Sequence, residues 1–126
     1  MVVETLGRER QTDRLFFALS DATRRDIVTQ TLDRERSVSE LGRLYPISLT
    51  AVQKHVEVLV DAGLVSKHRQ GRQQLVRGEV ARLRRAHELL DELEALWRAR
   101  LERFEDVLNE TNRTNRTNRT NRKEAQ

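Results

Sequence analysis

The stretch Ser48-Leu49-Thr50-Ala51-Val52-Gln53-Lys54-His55-Val56 concentrates short or flexible hydrogen-bonding side chains on one side of a helix and aliphatic ones on the other. At 100° per residue, Leu49, Val52, Val56, Leu59 and Val60 converge, while Thr50, Lys54, Glu57 and Asp61 fall opposite. Only the first two turns of that outer face lack acid. There Ser48, Thr50, Ala51, Gln53 and Lys54 offer donors, acceptors and methyl groups suited to the edges of nucleic-acid bases. Gln53 suits a purine edge, Lys54 a guanine or a phosphate, and the Thr50 or Ala51 methyl a thymine methyl. His55, at the border of the apolar face, is placed to donate to a phosphate. Glu57 and Asp61 repel phosphate and mark where such a face ends. The plainer reading is an amphipathic helix whose polar side faces water, so the surrounding elements have to decide.

The residues just beyond this helix favour contact with a polyanion. Leu64 to Arg69 and Gln73 to Arg77 read as two short antiparallel strands around Gln70-Gly71-Arg72. Arg69 and Arg72 bracket the glycine, with Lys67 and Arg77 nearby, which makes a basic ribbon able to reach phosphates beside the helix. His68, solitary in its segment, reads as a packing or backbone-contacting residue and not as a metal ligand. The charge distribution agrees: residues 43–85 carry nine Lys/Arg against three Asp/Glu, net +6, whereas 86–110 carry three against eight, net −5. The whole chain has a net charge of only +4, so the separation is an internal dipole.

The elements that hold these residues are helical. Leu15, Phe16 and Leu19 are spaced for a short first helix ending near Ser20 and Asp21. A second carries Ile27, Val28 and Leu32 inward and Arg24 and Arg25 outward. Ser37-Val38-Ser39-Glu40 has capping-box spacing and opens a third helix backed by Val38, Leu41 and Leu44. Tyr45-Pro46-Ile47 stops it, Ser48 caps the fourth helix and Gly63 ends it. Two helices joined by so tight a turn form a helix-turn-helix unit, whose second helix presents its N-terminal end to the major groove. A long helix then spans about 79–108, its stripe of Leu83, Ala86, Leu90, Leu93, Trp97, Leu101, Phe104 and Leu108 too long for one small domain to cover. A second copy is expected to cover the remainder.

With 126 residues the chain suits a single domain at 12–108, preceded by a flexible stretch at 1–11. Residues 109–126, with four Thr-Asn-Arg triplets, read as a disordered tail able to add phosphate attraction. The Asn-x-Thr pattern within it is not read as glycosylation, because no export signal accompanies it. No stretch is apolar enough to span a membrane, so a cytoplasmic setting is expected. The chain has no cysteine, which removes thiolate nucleophiles and thiolate metal ligands. His87 and Asp91 have ligand spacing, but the region lacks a second histidine, so no metal and no cofactor are expected. With no glycine-rich phosphate loop and no clustered histidine with paired carboxylates, an enzyme is not expected.

The runs LFFALSDATRRDIVTQTL and SVSELGRLYPISLTAVQKHVEVLVDAGLVSKHRQGRQ, with the leucine-rich closing helix, resemble the ArsR family of bacterial winged-helix repressors over residues 12–108. The resemblance implies a mainly α fold with a small β-hairpin, a winged helix-turn-helix that dimerises through its first and last helices. Leu15, Phe16, Leu19, Leu90, Leu93, Trp97, Leu101 and Phe104 would then form the dimer interface. It also implies double-stranded DNA as partner, an inverted-repeat operator, and contacts from Ser48, Thr50, Ala51, Gln53, Lys54, His55, Lys67, Arg69 and Arg72. Where metal sensors of the family carry cysteines, this chain reads Ser39-Glu40-Leu41-Gly42-Arg43, which excludes thiolate sensing, and its closing helix resembles the non-metal branch of the family. A small-molecule effector is left open. The competing reading is a winged helix serving protein assembly, its acidic and basic halves pairing between subunits.

Overall fold

The computed structural model describes residues 2–124, with side chains from 6 to 118. Five helices and a small sheet run in the order α1 (Val2–Leu19), α2 (Ala22–Asp33), β1 (Arg36–Ser37), α3 (Val38–Leu44), α4 (Leu49–Asp61), β2 (Val65–Gln70), β3 (Gln73–Gly78) and α5 (Val80–Glu124). Residues 1–87 form one compact unit and 88–126 a second.

Local chemistry sets most boundaries in the first unit. The Asp21 carboxylate accepts from the Arg24 N–H and starts α2. At α3 the capping box is complete: the Ser37 hydroxyl accepts from Glu40 N–H, and the Glu40 carboxylate accepts from Ser37 N–H. The Ser48 hydroxyl accepts from Ala51 N–H to open α4. At its far end Gly63 adopts φ +74°, with Gly63 N–H donating to Val60 O and Leu64 N–H to Leu59 O. This pair of bonds satisfies two last-turn carbonyls, and the positive φ it needs falls on a residue without a Cβ.

The sheet has three strands in the order β1-β3-β2, all antiparallel. Two were legible as the hairpin; β1 was not. Arg36 pairs with Val76 and Ser37 with Leu75, so Ser37 is at once a strand residue and the cap of α3. Gln70 pairs with Gln73 across Gly71-Arg72, and Gly71 has φ +63°. A glycine at the first central position of a two-residue hairpin loop, with the second at negative φ, matches a type II′ turn.

The core joins Leu15 and Ala18 of α1, Ile27 and Val28 of α2, Leu41, then Val52, Val56 and Leu59 of α4, with Leu64, Val65, Val76 and Ala86. Leu41, Val52 and Leu59 are fully buried, so the apolar face of α4 is anchored and its orientation fixed. At roughly 1.5–3 kcal/mol per fully buried aliphatic side chain, this anchoring is the main cost that turning α4 over would incur.

Three expectations need correction. Residues 2–11 are helical and make α1 an 18-residue helix instead of a short one behind a flexible lead. Arg24 does not point outward: its Nε and Nη2 donate to Ala18 O and Phe17 O, each at 2.9 Å, whereas Arg25 is exposed as expected and its Nη1 donates to Leu19 O at 2.8 Å. The end of α1 has no intrahelical partners for its last carbonyls, and these guanidinium groups supply them. Leu32 and Leu44, expected inward, are exposed.

In the second unit α5 continues as one helix through the Thr-Asn-Arg triplets to Glu124, where disorder was expected. Thr111, Thr114 and Thr117 donate their hydroxyls to Val107, Glu110 and Arg113 carbonyls four residues back. Polar side chains that bond their own helix need no core to be satisfied. Leu90, Leu93, Trp97, Leu101, Phe104 and Leu108 are all exposed within the chain. Their 3-4-4-3-4 spacing has an eleven-residue cadence of 3.67 per turn, close to the natural helical period.

Candidate nucleic-acid interface

The buried side of α4 dictates what its other side shows. With Val52, Val56 and Leu59 in the core, Ser48, Thr50, Gln53 and Lys54 are exposed and Ala51 and His55 partly so. The first two turns therefore present hydroxyl, amide and ammonium groups from consecutive rows. None of these side chains is drawn into the subunit.

His55 has a defined partner. Arg24 Nη1 lies 3.3 Å from His55 Nδ1, and because a guanidinium only donates, Nδ1 is the acceptor in this contact. Arg24 is itself only 8% exposed, and its guanidinium carbon lies 5.0 Å from the centroid of the Phe17 ring. One buried arginine thus ties the end of α1 to the polar side of α4. Sequence reasoning missed it, since an arginine on an amphipathic helix defaults to the solvent side.

The hairpin meets α4 along its outer face. Gln53, Val56 and Glu57 share a cleft with Lys67 and Gln74, and Val38 closes it. The Lys67 ammonium is ion-paired with the Glu57 carboxylate. Two expectations change together. Lys67 is engaged by the protein and is a brace between the wing and α4, and Glu57 is neutralised where phosphate repulsion was expected. Arg69 and Arg72 remain exposed at the hairpin tip. Arg77, expected nearby as a further cation, pairs with Glu79 at 3.1 Å, and Ser66 donates to the same carboxylate at 2.8 Å. These donors, the Ser66 hydroxyl foremost, hold the Glu79 carboxyl below its ordinary value. His68 Nε2 lies 3.7 Å from Glu35, a contact within the subunit.

The turn before α4 is braced as well. Tyr45 donates its hydroxyl to Asp26 at 2.5 Å, and burial together with that carboxylate raises the phenol's pKa. A Cβ on Gly42 would stand 3.0 Å from Leu49 Cδ1, so the crossing of α3 and α4 is close.

Of the residues expected to meet a second copy, Leu15 is only 2% exposed and belongs to the core, because α1 turns that edge toward α2 and α4. Phe16 and Leu19 are partly buried against the same core. The large apolar side chains that α1 exposes instead are Leu6, at 48%, and Phe17, at 60%. On α5, Leu90, Leu93, Trp97, Leu101 and Phe104 are exposed as expected. Among the described residues no group of three or more His, Asp or Glu is placed to hold a metal ion, and no helix is long and apolar enough to cross a membrane.

The helix-turn-helix domain family matches residues 19–68. The HTH-type transcriptional regulator Rv2034 of Mycobacterium tuberculosis is 45% identical over 56 residues, covering 44% of this chain and 52% of that protein, so the chain matches about half the length of that relative. A solved structure, the ArsR-like transcriptional regulator from Rhodococcus sp. RHA1, is 31% identical with a TM-score of 0.74, covering 81% of this chain and 94% of that one. The homodimeric winged helix-turn-helix DNA-binding domain of Mb0332 from Mycobacterium bovis, a possible ArsR-family transcriptional regulator, is 26% identical with a TM-score of 0.58, covering 69% of this chain and 83% of that one.

Proposed function

The chain belongs to the ArsR family of winged helix-turn-helix transcriptional regulators, and on that premise we propose that it acts as a homodimeric repressor binding an inverted-repeat operator. The observation that carries the reading is the exposed, acid-free start of α4, held outward by the burial of Val52, Val56 and Leu59. Thr50, Ala51, Gln53 and Lys54 read base edges in the major groove, with Ser48 at its entrance and the His55 Nε2–H on a phosphate. Arg69 and Arg72 reach the backbone or minor groove beside it. Lys67 serves by holding the wing against α4 through Glu57.

A two-fold dimer spaces its recognition helices about 34 Å apart, one turn of duplex. The homodimeric state of the Mb0332 domain supports pairing, and the exposed α5 stripe supplies the apolar surface for it. Repression then results from occupying a promoter.

The decisive experiment selects sites from random duplexes with the purified protein, then repeats the selection with two variants. Arg72→Ala should weaken binding to every sequence, whereas Gln53→Ala should change which base is preferred at one position of each half-site. Unaltered selection and affinity in both variants would refute the assignment of this face.

A further inference from the structure

A cleft of about 360 Å³ opens within the first unit between α1 and the first two turns of α5, and none of the DNA-facing residues lines it. Arg8, Gln11 and Thr12 come from one face of α1, and Arg82 and Arg85 from α5, with Leu15 contributing an apolar floor. No described carboxylate is among the lining residues. The acid nearest in sequence to the start of α5, Glu79, is committed to Ser66 and Arg77. Arg82 and Arg85 also stand in the opening turns of a long helix, where its dipole favours negative charge.

We infer that this cleft binds a small organic anion carrying two or more charges, carboxylate or phosphate, and that Arg82 reports its occupancy to the recognition helix. Planar guanidinium groups engage either kind of anion through paired hydrogen bonds. The Gln11 amide adds a neutral donor, and Leu15 gives room for carbon. A cleft of this volume suits a molecule of metabolite size better than a bare ion.

The link to α4 is a contact. A Cβ placed on Gly63 would stand 2.9, 3.0 and 3.4 Å from Arg82 Nε, Cγ and Cδ, so the Arg82 side chain lies directly over the glycine that ends α4. An anion that draws the guanidinium into the cleft moves the stem that covers that cap. A ligand shifts an equilibrium only through contacts that differ between its two states, and Arg82 supplies one. This second half of the inference rests on the reading of α4 as the DNA-contacting helix; the first half does not.

The test uses the full chain at fixed ionic strength with two probes, citrate and glucose 6-phosphate, and acetate as the singly charged control. Calorimetry should show saturable binding of at least one probe and none of acetate. Arg8→Gln and Arg82→Gln should each weaken it about ten- to a hundredfold, the range for one charge-assisted hydrogen bond. Which probe binds distinguishes a carboxylate from a phosphate ligand. The preferred probe should change the affinity of wild-type protein for its selected DNA site several-fold and leave that of the Arg82→Gln protein unchanged. Absence of saturable binding, binding indifferent to both substitutions, or substitutions that alter only the oligomeric state would each overturn the inference. Saturable binding that leaves DNA affinity unmoved would overturn its second half. DNA affinity measured without any anion tests the regulator reading separately.

Discussion

Arg24 Nη1 stands 3.3 Å from His55 Nδ1, on a guanidinium whose other nitrogens hold the Phe17 and Ala18 carbonyls. Replacing Arg24 by alanine leaves those carbonyls without donors and frees the His55 ring. Equilibrium unfolding should show a loss of about 2–3 kcal/mol, in the range for charge-assisted bonds at a largely buried site. His55→Ala should cost much less stability, and fluorescence anisotropy should show weaker binding to DNA of any sequence, the outcome expected of the phosphate contact proposed for this ring.

Glu57→Gln releases the Lys67 ammonium from its ion pair. A free lysine beside the recognition face should strengthen non-specific DNA binding and steepen the slope of log affinity against log salt by about one, the signature of one added phosphate contact. Lys67→Ala should weaken that binding, since it restores an unpaired carboxylate to the same face. An unchanged salt slope in both variants would show that the pair lies outside the DNA footprint.

Gly78 packs against α2 so closely that a Cβ would stand 2.8 Å from Leu32 Cγ and 2.9 Å from the Leu32 backbone nitrogen. Side chains can yield at such a contact, but the backbone of a helix cannot. Gly78→Ala should therefore destabilise the domain by about 1–3 kcal/mol, the usual cost of overpacking, measured by the denaturant midpoint. Gly71→Ala should cost less: a Cβ there meets no atom, and only its φ of +63° resists.

Asp21, Glu40 and Glu79 all have carboxyls held below their ordinary values of 3.8 or 4.5. The main cause at Asp21 is the Arg24 backbone N–H, at Glu40 the Ser37 backbone N–H, and at Glu79 the Ser66 hydroxyl followed by Arg77. A depressed folded-state pKa means stability fully present above the unfolded value and lost as pH falls through the folded one. Denaturation midpoints should therefore be flat near neutrality and decline below about pH 4.5. Asp21→Asn should flatten that decline.

Trp97 and Leu101 lie on the exposed stripe of α5. The double substitution Trp97→Glu and Leu101→Glu should convert the proposed dimer into a monomer in analytical ultracentrifugation while leaving the helical circular dichroism of the chain intact. A dimer that survives would place its interface elsewhere.

The parts legible in the sequence were those fixed by neighbours in the chain. The Ser37–Glu40 box, the Ser48 cap, Gly63 and Gly71 each do local work within a few residues, and each stands where its chemistry placed it. The outward face of α4 was equally legible, because the apolar period that buries Val52 and Val56 leaves Gln53 and Lys54 no other direction. What stayed hidden depends on distant partners. β1 is two residues long and exists through pairing with β3. Arg24 is buried only because α1 ends beside it, and Lys67 is spent on Glu57 only because the wing folds back. Leu15 fits a core as well as an interface, and a periodic pattern cannot say which surface will cover it. The helical course of the Thr-Asn-Arg triplets was missed for another reason: composition reports the lack of a core, not whether side chains can satisfy their own helix.

The eleven-residue cadence along α5 carries a cost of its own. In the dimer proposed above, a slide of one such step, about 16.5 Å of helix, puts Leu90 where Leu101 was, so the aliphatic rungs alone would not distinguish one stagger of the two copies from the next. The aromatic rungs would: the same slide sets Trp97 against the place of Leu108 and Leu93 against that of Phe104. Two bulky rings among leucines thus act as a vernier, and trimming both to leucine would leave a ladder able to settle at more than one mark.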